Sequence, residues 1–127
     1  MVRVMLVEDE EELREILLAV LESEGLDCKA ACDGQDALAK LAELKAQGWV
    51  PQVIISDISM PKMNGFDLIK TLKETRALVP FIFMSGHADQ SVEAQAKELG
   101  AVALHTKPFK TEQILEQIRT VVVSAVK

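Results

Sequence analysis

Gln52-Val53-Ile54-Ile55-Ser56-Asp57 is a short apolar run that ends on an acid, and it reads as a buried strand. Three other runs of the same kind end on, or lead straight into, groups that can do chemistry. Residues 2–7, VRVMLV, run into Glu8 and Asp9; residues 80–84, PFIFM, run into Ser85; residues 101–106, AVALHT, run into Lys107. If these strands are parallel neighbours, three carboxylates, a hydroxyl and an ammonium gather at one edge of one sheet. Carboxylates so crowded need a cation. An Asp beside a metal, a hydroxyl and a Lys can accept a phosphoryl group.

Between these runs the periodicity changes to that of helices. Leu13, Ile16, Leu17, Val20 and Leu21 form a helical stripe over residues 10–23, with Gly25 as its stop. Residues 27–32 are a weaker strand. Further helices are predicted at 36–46, closed by Gly48, at 66–75, at 91–99, ended by Gly100, and at 111–126. Strands fall at 51–56, 81–84 and 102–106. Five alternating strand and helix units predict an α/β fold, a doubly wound five-stranded parallel sheet covered on both faces. The order 2-1-3-4-5 follows, with ligands outside the carboxyl ends of the strands near the switch between strands 1 and 3. Glu8, Asp9 and Asp57 would meet there.

The 127 residues suit a single domain with one core, and 49% of them are apolar. The net charge of −6 includes five acids in one run, Glu8 to Glu12. A negative surface argues against unassisted nucleic-acid binding. No run is long and apolar enough for membrane insertion and no leader pattern is present, which reads as a cytoplasmic protein. Cys28 and Cys32 would lie roughly 13 Å apart on a strand, too far for a disulfide.

Each site residue also has a plain structural reading. Asp9 can N-cap the first helix with Glu12 completing a capping box, and acids in a first turn suit the helix dipole. Asp57 can simply end a strand, Ser85-Gly86 can be a turn, and Lys107-Pro108 can be a solvated lysine before a helix. All of them at strand ends of one sheet make the stronger case. His105 reads as a strand residue with a satisfied ring. His87, two past Ser85, sits at the mouth of the site. Trp49 reads as loop packing.

The segments VEDE, IISDISMPKMNG, FMSGH and TKPF, in this order and spacing, resemble the receiver (phosphoacceptor) domain of two-component response regulators over residues 1–127. The resemblance implies a flavodoxin-like (βα)5 fold and a phosphorelay switch. It implies Asp57 as phosphoacceptor, Ser85 as the hydroxyl that contacts the incoming phosphoryl group, and Lys107 as its ammonium partner, with Lys107-Pro108 cis. It implies Mg²⁺ held by Asp9, Asp57 and the Ser59 carbonyl, with Glu8 acting through a water. The implied partners are a sensor histidine kinase or histidine phosphotransfer protein, and a downstream protein or second copy. The output is read at the face of helix 4, strand 5 and helix 5 (the 4-5-5 face). Leu104 stands where the family often has an aromatic, and Glu8 where Asp is commoner. Leu104, Ala103 and one of Val121, Val122 and Val123 are expected to add apolar area near that face. A Mg²⁺-dependent phosphatase with an Asp nucleophile is the alternative, but Ser59 occupies the place of its second carboxylate. A flavodoxin-type cofactor binder lacks a phosphate-cradling glycine loop here. Stand-alone protein and piece of a longer one both remain open.

Overall fold

The computed structural model describes residues 1–76, 79–87, 89–108 and 110–126, with side chains described through residue 122. The apolar runs form strands β1 (Arg3–Val7), β2 (Asp27–Ala31), β3 (Val53–Asp57), β4 (Phe81–Ser85) and β5 (Ala103–Thr106). Helices α1 (Glu11–Ser23), α2 (Gly34–Ala46), α3 (Gly65–Glu74), α4 (Gln90–Glu98) and α5 (Thr111–Val126) separate and follow them. All pairings are parallel, in the order β2-β1-β3-β4-β5. The expected topology is therefore present.

Alternate residues of the central strands enter two cores. Val4, Leu6, Val53, Ile55, Ile82 and Met84 pack with Leu17 and Leu21 of α1 and with Ile114 and Ile118 of α5. Met5, Val7, Ile54, Phe81 and Phe83 pack on the other face with Ala37 of α2, Leu68 and Ile69 of α3, and Ala96 of α4. Burial on both faces explains why these strands are continuous apolar runs rather than alternating ones.

Boundaries moved by one or two residues where local chemistry decided them. Strand pairing on β3 starts after Pro51, which has no N–H to donate. The α2, α3 and α4 helices start earlier than periodicity alone indicated because Asp33, Asn64 and Asp89 accept bonds from the N–H groups of Asp36, Asp67 and Val92 at 2.8, 2.8 and 2.9 Å. The three glycines read as helix stops, Gly25, Gly48 and Gly100, have φ of 85, 86 and 87°. Trp49 does pack in its loop, and its indole N–H also donates to Asp27 at 2.9 Å. Ile16, placed in the inward stripe of α1, is instead 56% exposed.

Val121 is buried against the α1/α5 core. Val122 is half-buried and lines a groove with Val2, Leu26 and Leu115. The side chain of Val123 lies outside the described residues. Ala103 packs on the α1/α5 core and Leu104 on the opposite one, so both are half-buried rather than part of an open apolar patch.

Gly65 is required by close approach. A Cβ there would lie 2.5 Å from the Asp57 carbonyl oxygen and 3.0 Å from Ile58 Cα, both backbone atoms that cannot turn aside. At Gly86 a Cβ would meet nothing within 4 Å. Gly65→Ala should therefore cost about 1–3 kcal/mol in urea unfolding, and Gly86→Ala less than about 0.5 kcal/mol. Equal effects would mean that the α3 start is not packed on β3 as described.

Candidate functional site

The β1 strand delivers two acids to the switch point. The chain continues alongside β2 for one residue more, with Glu8 N–H donating to the Ala31 carbonyl at 3.0 Å. Glu8 is fully buried. Its Oε1 accepts from Lys107 Nζ at 2.8 Å and its Oε2 from Glu10 N–H at 3.0 Å. Its main-chain carbonyl accepts from the Arg14 guanidinium at 2.9 Å. The α1 helix has Glu10 as N-cap, with no side-chain capping bond from that residue. The capping box expected of Asp9 and Glu12 is therefore replaced: Glu8 serves the N–H just before the helix, and the Asp9 carboxylate stays exposed at the site.

Asp57 ends β3 and is buried. Its Oδ2 accepts from the same Lys107 ammonium at 3.0 Å. Ser56 beside it is also buried, and its hydroxyl donates to the Asp57 carbonyl at 2.8 Å. Lys107 follows β5, and its N–H donates to the Ser85 carbonyl at 2.7 Å. The Lys107-Pro108 bond is cis, as expected. One ligand oxygen from each of Glu8, Asp9 and Asp57 lies within 4.8 Å of the others.

The electrostatics follow from this crowding. Desolvation by its neighbours pushes the exposed Asp9 carboxyl above its ordinary value, and the hydrogen bond and charge of Glu8 push it further. Burial alone would lower Lys107, but its bonds to Glu8 and Asp57 and their charges outweigh that and raise it. Three carboxylates face one ammonium in the cluster. The donors are all oxygen and negative charge is in excess, a set that fits a hard cation. Ser59 lies exposed two residues past Asp57, and among the described residues no hydrogen bond reaches its carbonyl.

Ser85 is brought to the same edge, but its hydroxyl is not turned toward the acids. It donates to the His87 carbonyl and accepts from the His87 N–H at 3.1 Å. His87 thus touches the site through its backbone, while its exposed ring lies 3.3 Å from Asp89. His105 corrects an expectation: its Nε2 is buried and has no partner among the described residues, and burial lowers its pKa. Residue type and position could not reveal this, because the partner of a strand side chain is set by the elements packed against it. The roles of Arg14 and Ser56 also went unread: Arg14 belongs to no apolar pattern or strand-end motif, and the strand run that contains Ser56 does not say where its hydroxyl points. Both cysteines are free, and burial pushes the Cys28 thiol to about 12.

A sequence family described as the response regulator receiver domain matches residues 4–119. The chain belongs to this family. The transcriptional regulatory protein CpxR homolog of Haemophilus influenzae is 34% identical over 123 residues, covering 95% of this chain and 50% of that protein. The DNA-binding transcriptional regulator NtrC of Salmonella typhimurium is 34% identical over 110 residues, 87% of this chain and 22% of that protein. The chain spans about half or less of the length of such curated relatives. Among solved structures, the Vibrio cholerae chemotaxis protein CheY4 superposes with a TM-score of 0.83 at 30% identity, covering 95% of this chain and 98% of that one. Receiver domains of response regulators serve as signalling switches, and the acid cluster lies where β1 and β3 end in this receiver fold. No helix among the described residues is long and apolar enough to cross a membrane.

Asp9→Asn should relieve like-charge crowding. In EDTA the variant should be more stable than the parent by about 1 kcal/mol, or roughly 3–6 °C in Tm at this size. Added Mg²⁺ should raise the parent's Tm and leave the variant's nearly unchanged. A variant that is less stable in EDTA and still responds to Mg²⁺ would restore the capping account of Asp9.

Proposed function

We propose that this chain is a phosphorelay switch whose acceptor is Asp57. The observation that carries the reading is the single ammonium of Lys107 shared by Asp57 and Glu8 inside an oxygen-only acid cluster. The donor is the phosphohistidine of a sensor histidine kinase or histidine phosphotransfer protein. An Asp57 carboxylate oxygen attacks phosphorus, the P–N bond breaks, and the imidazole leaves with the electron pair. The product is an acyl phosphate with extra negative charge and three acceptor oxygens. Such transfers need alignment and charge neutralisation more than covalent help from the protein.

Mg²⁺ would be held by Asp9, Asp57 and the Ser59 carbonyl, and it would supply neutralisation of the phosphoryl oxygens. Glu8 would act through a water, because both its oxygens already accept bonds from Lys107 and Glu10. Lys107 pairs with the phosphoryl group, and Ser85 contacts it after giving up its bonds to the His87 backbone. Leu13, Ile16, Leu17, Pro108 and Thr111 line an open groove with Lys107, which supports docking of an apolar donor surface beside the acceptor. Residues 1–127 act as one receiver domain, in the cytoplasm, without direct contact to nucleic acid or membrane.

The output leaves by the α4-β5-α5 face, toward a downstream protein or a second copy. Ser85 and Lys107 are joined through their backbones, and Leu104 packs in the same core as Ala96 of α4. These links support a route from the acceptor to that face. Phosphatase turnover is disfavoured, because Ser59 cannot replace a carboxylate as acid and base.

Incubation with Mg²⁺ and a small acyl phosphate should add one phosphoryl group, mapped to Asp57 by intact mass and peptide analysis. Labelling of Asp57→Asn, labelling unaffected by EDTA, or steady hydrolysis of a small phosphate ester would overturn the reading.

Beryllofluoride should shift amide resonances over residues 85–107 and 111–123 and change affinity for a partner or second copy. The coupling should be on the order of 1–2 kcal/mol, modest because Leu104 replaces an aromatic. Unmoved resonances, with unchanged sedimentation and pull-down, would remove the α4-β5-α5 face from the mechanism.

A further inference from the structure

The loop between β3 and α3 carries a strained turn immediately after the acceptor. Met63 N–H donates to the Pro61 carbonyl at 2.7 Å, closing a three-residue turn on Lys62. Lys62 has φ of 65°, in the left-handed region that a residue with a Cβ rarely adopts. This is the rare, strained form of the γ-turn. Such a conformation persists only where its surroundings hold it.

Two main-chain bonds hold it. Gly65 N–H donates to the Ile58 carbonyl at 2.8 Å and closes the base of the loop. Gly34, the first residue of α2, donates its N–H to the Met63 carbonyl at 3.1 Å from a different element. The approach is too close for any side chain. A Cβ on Gly34 would lie 2.6 Å from Met63 Cγ, 2.7 Å from its carbonyl oxygen and 2.8 Å from its Cβ. The Cγ could rotate away, but the oxygen and Cβ are set by the turn itself. Ser59 lies inside the segment that these two bonds pin.

We infer that Gly34 is a positioning residue for the acidic site: it clamps the turn at Lys62 and Met63, and so holds the Ser59 main chain in place for the cation. The inference rests on the proposed role of Ser59 in the switch. It brings the β2–α2 junction, which contributes no ligand, into control of metal affinity.

The test uses the full chain and Mg²⁺ alone, followed by amide chemical shifts and calorimetry. Gly34→Ala should bind Mg²⁺ at least about 5-fold more weakly than the parent. Parent-like affinity in a folded Gly34→Ala protein would overturn the inference. A second measurement on the parent does not depend on the variant folding. Because coupling is reciprocal, saturating Mg²⁺ should slow hydrogen exchange of the Gly34 amide by a similar factor, and the hydrogen-bonded Gly48 amide should not respond. Gly34 exchange indifferent to Mg²⁺ would equally overturn it. Failure of the parent to bind Mg²⁺ at all would instead sink the switch reading itself.

Discussion

One ammonium between two buried carboxylates is the interaction on which this site depends. Lys107 reaches Glu8 at 2.8 Å and Asp57 at 3.0 Å, and Glu8 is fully buried. A buried carboxylate without a partner is strongly destabilising, and breaking such a pair leaves the cost in place. Lys107 thus joins the ends of β1, β3 and β5, which no single pairing in the sheet does. It also leaves the cluster short of positive charge, because Asp9 stands beside the pair as a third carboxyl. The deficit is the chemical reason that the donor set fits a hard cation.

The parallel sheet makes the deficit possible. With helices covering both faces, the central strands β1, β3 and β4 can be apolar along most of their length, with their polar residues at the ends. All carboxyl ends lie on one edge, and the reversal of strand order at β1 and β3 opens a crevice there. Close backbone packing then sharpens the site. Gly65 lets α3 start against the Asp57 carbonyl, and Gly34 lets α2 touch the following loop. Neither contact tolerates a methyl group without displacement.

The hydroxyl of Ser85 finds its partners within its own loop. It is occupied by the His87 backbone, while Lys107 is occupied by carboxylates. Under the proposed function, both groups have partners that an incoming phosphoryl group would replace. Such an exchange of partners is how a local charge change biases a two-state element. Under the proposed function that bias would pass through the aliphatic packing of Leu104, which lies in the same core as Ala96.

The fold was legible in the chain because its signals are local. Strand-length apolar runs, helical stripes and glycine stops specify ten elements, and the crossover rules for parallel strands leave few ways to arrange them. The acids, hydroxyl and lysine at strand ends were legible for the same reason. Missed helix starts had a local signal too, in Asp33, Asn64 and Asp89. Partners across the chain were a different matter. Glu8 and Lys107 are separated by 99 positions. Only the folded sheet decided that Glu8 takes the lysine and the Glu10 N–H, leaving Asp9 open to solvent rather than capping α1. Tertiary packing likewise left His105 Nε2 buried with no partner among the described residues, exposed Ile16, and set Gly34 against Met63. Periodicity and strand-end position report which way a residue faces along its own element; which atom meets it there depends on elements brought together by packing, and no local pattern encodes that distance.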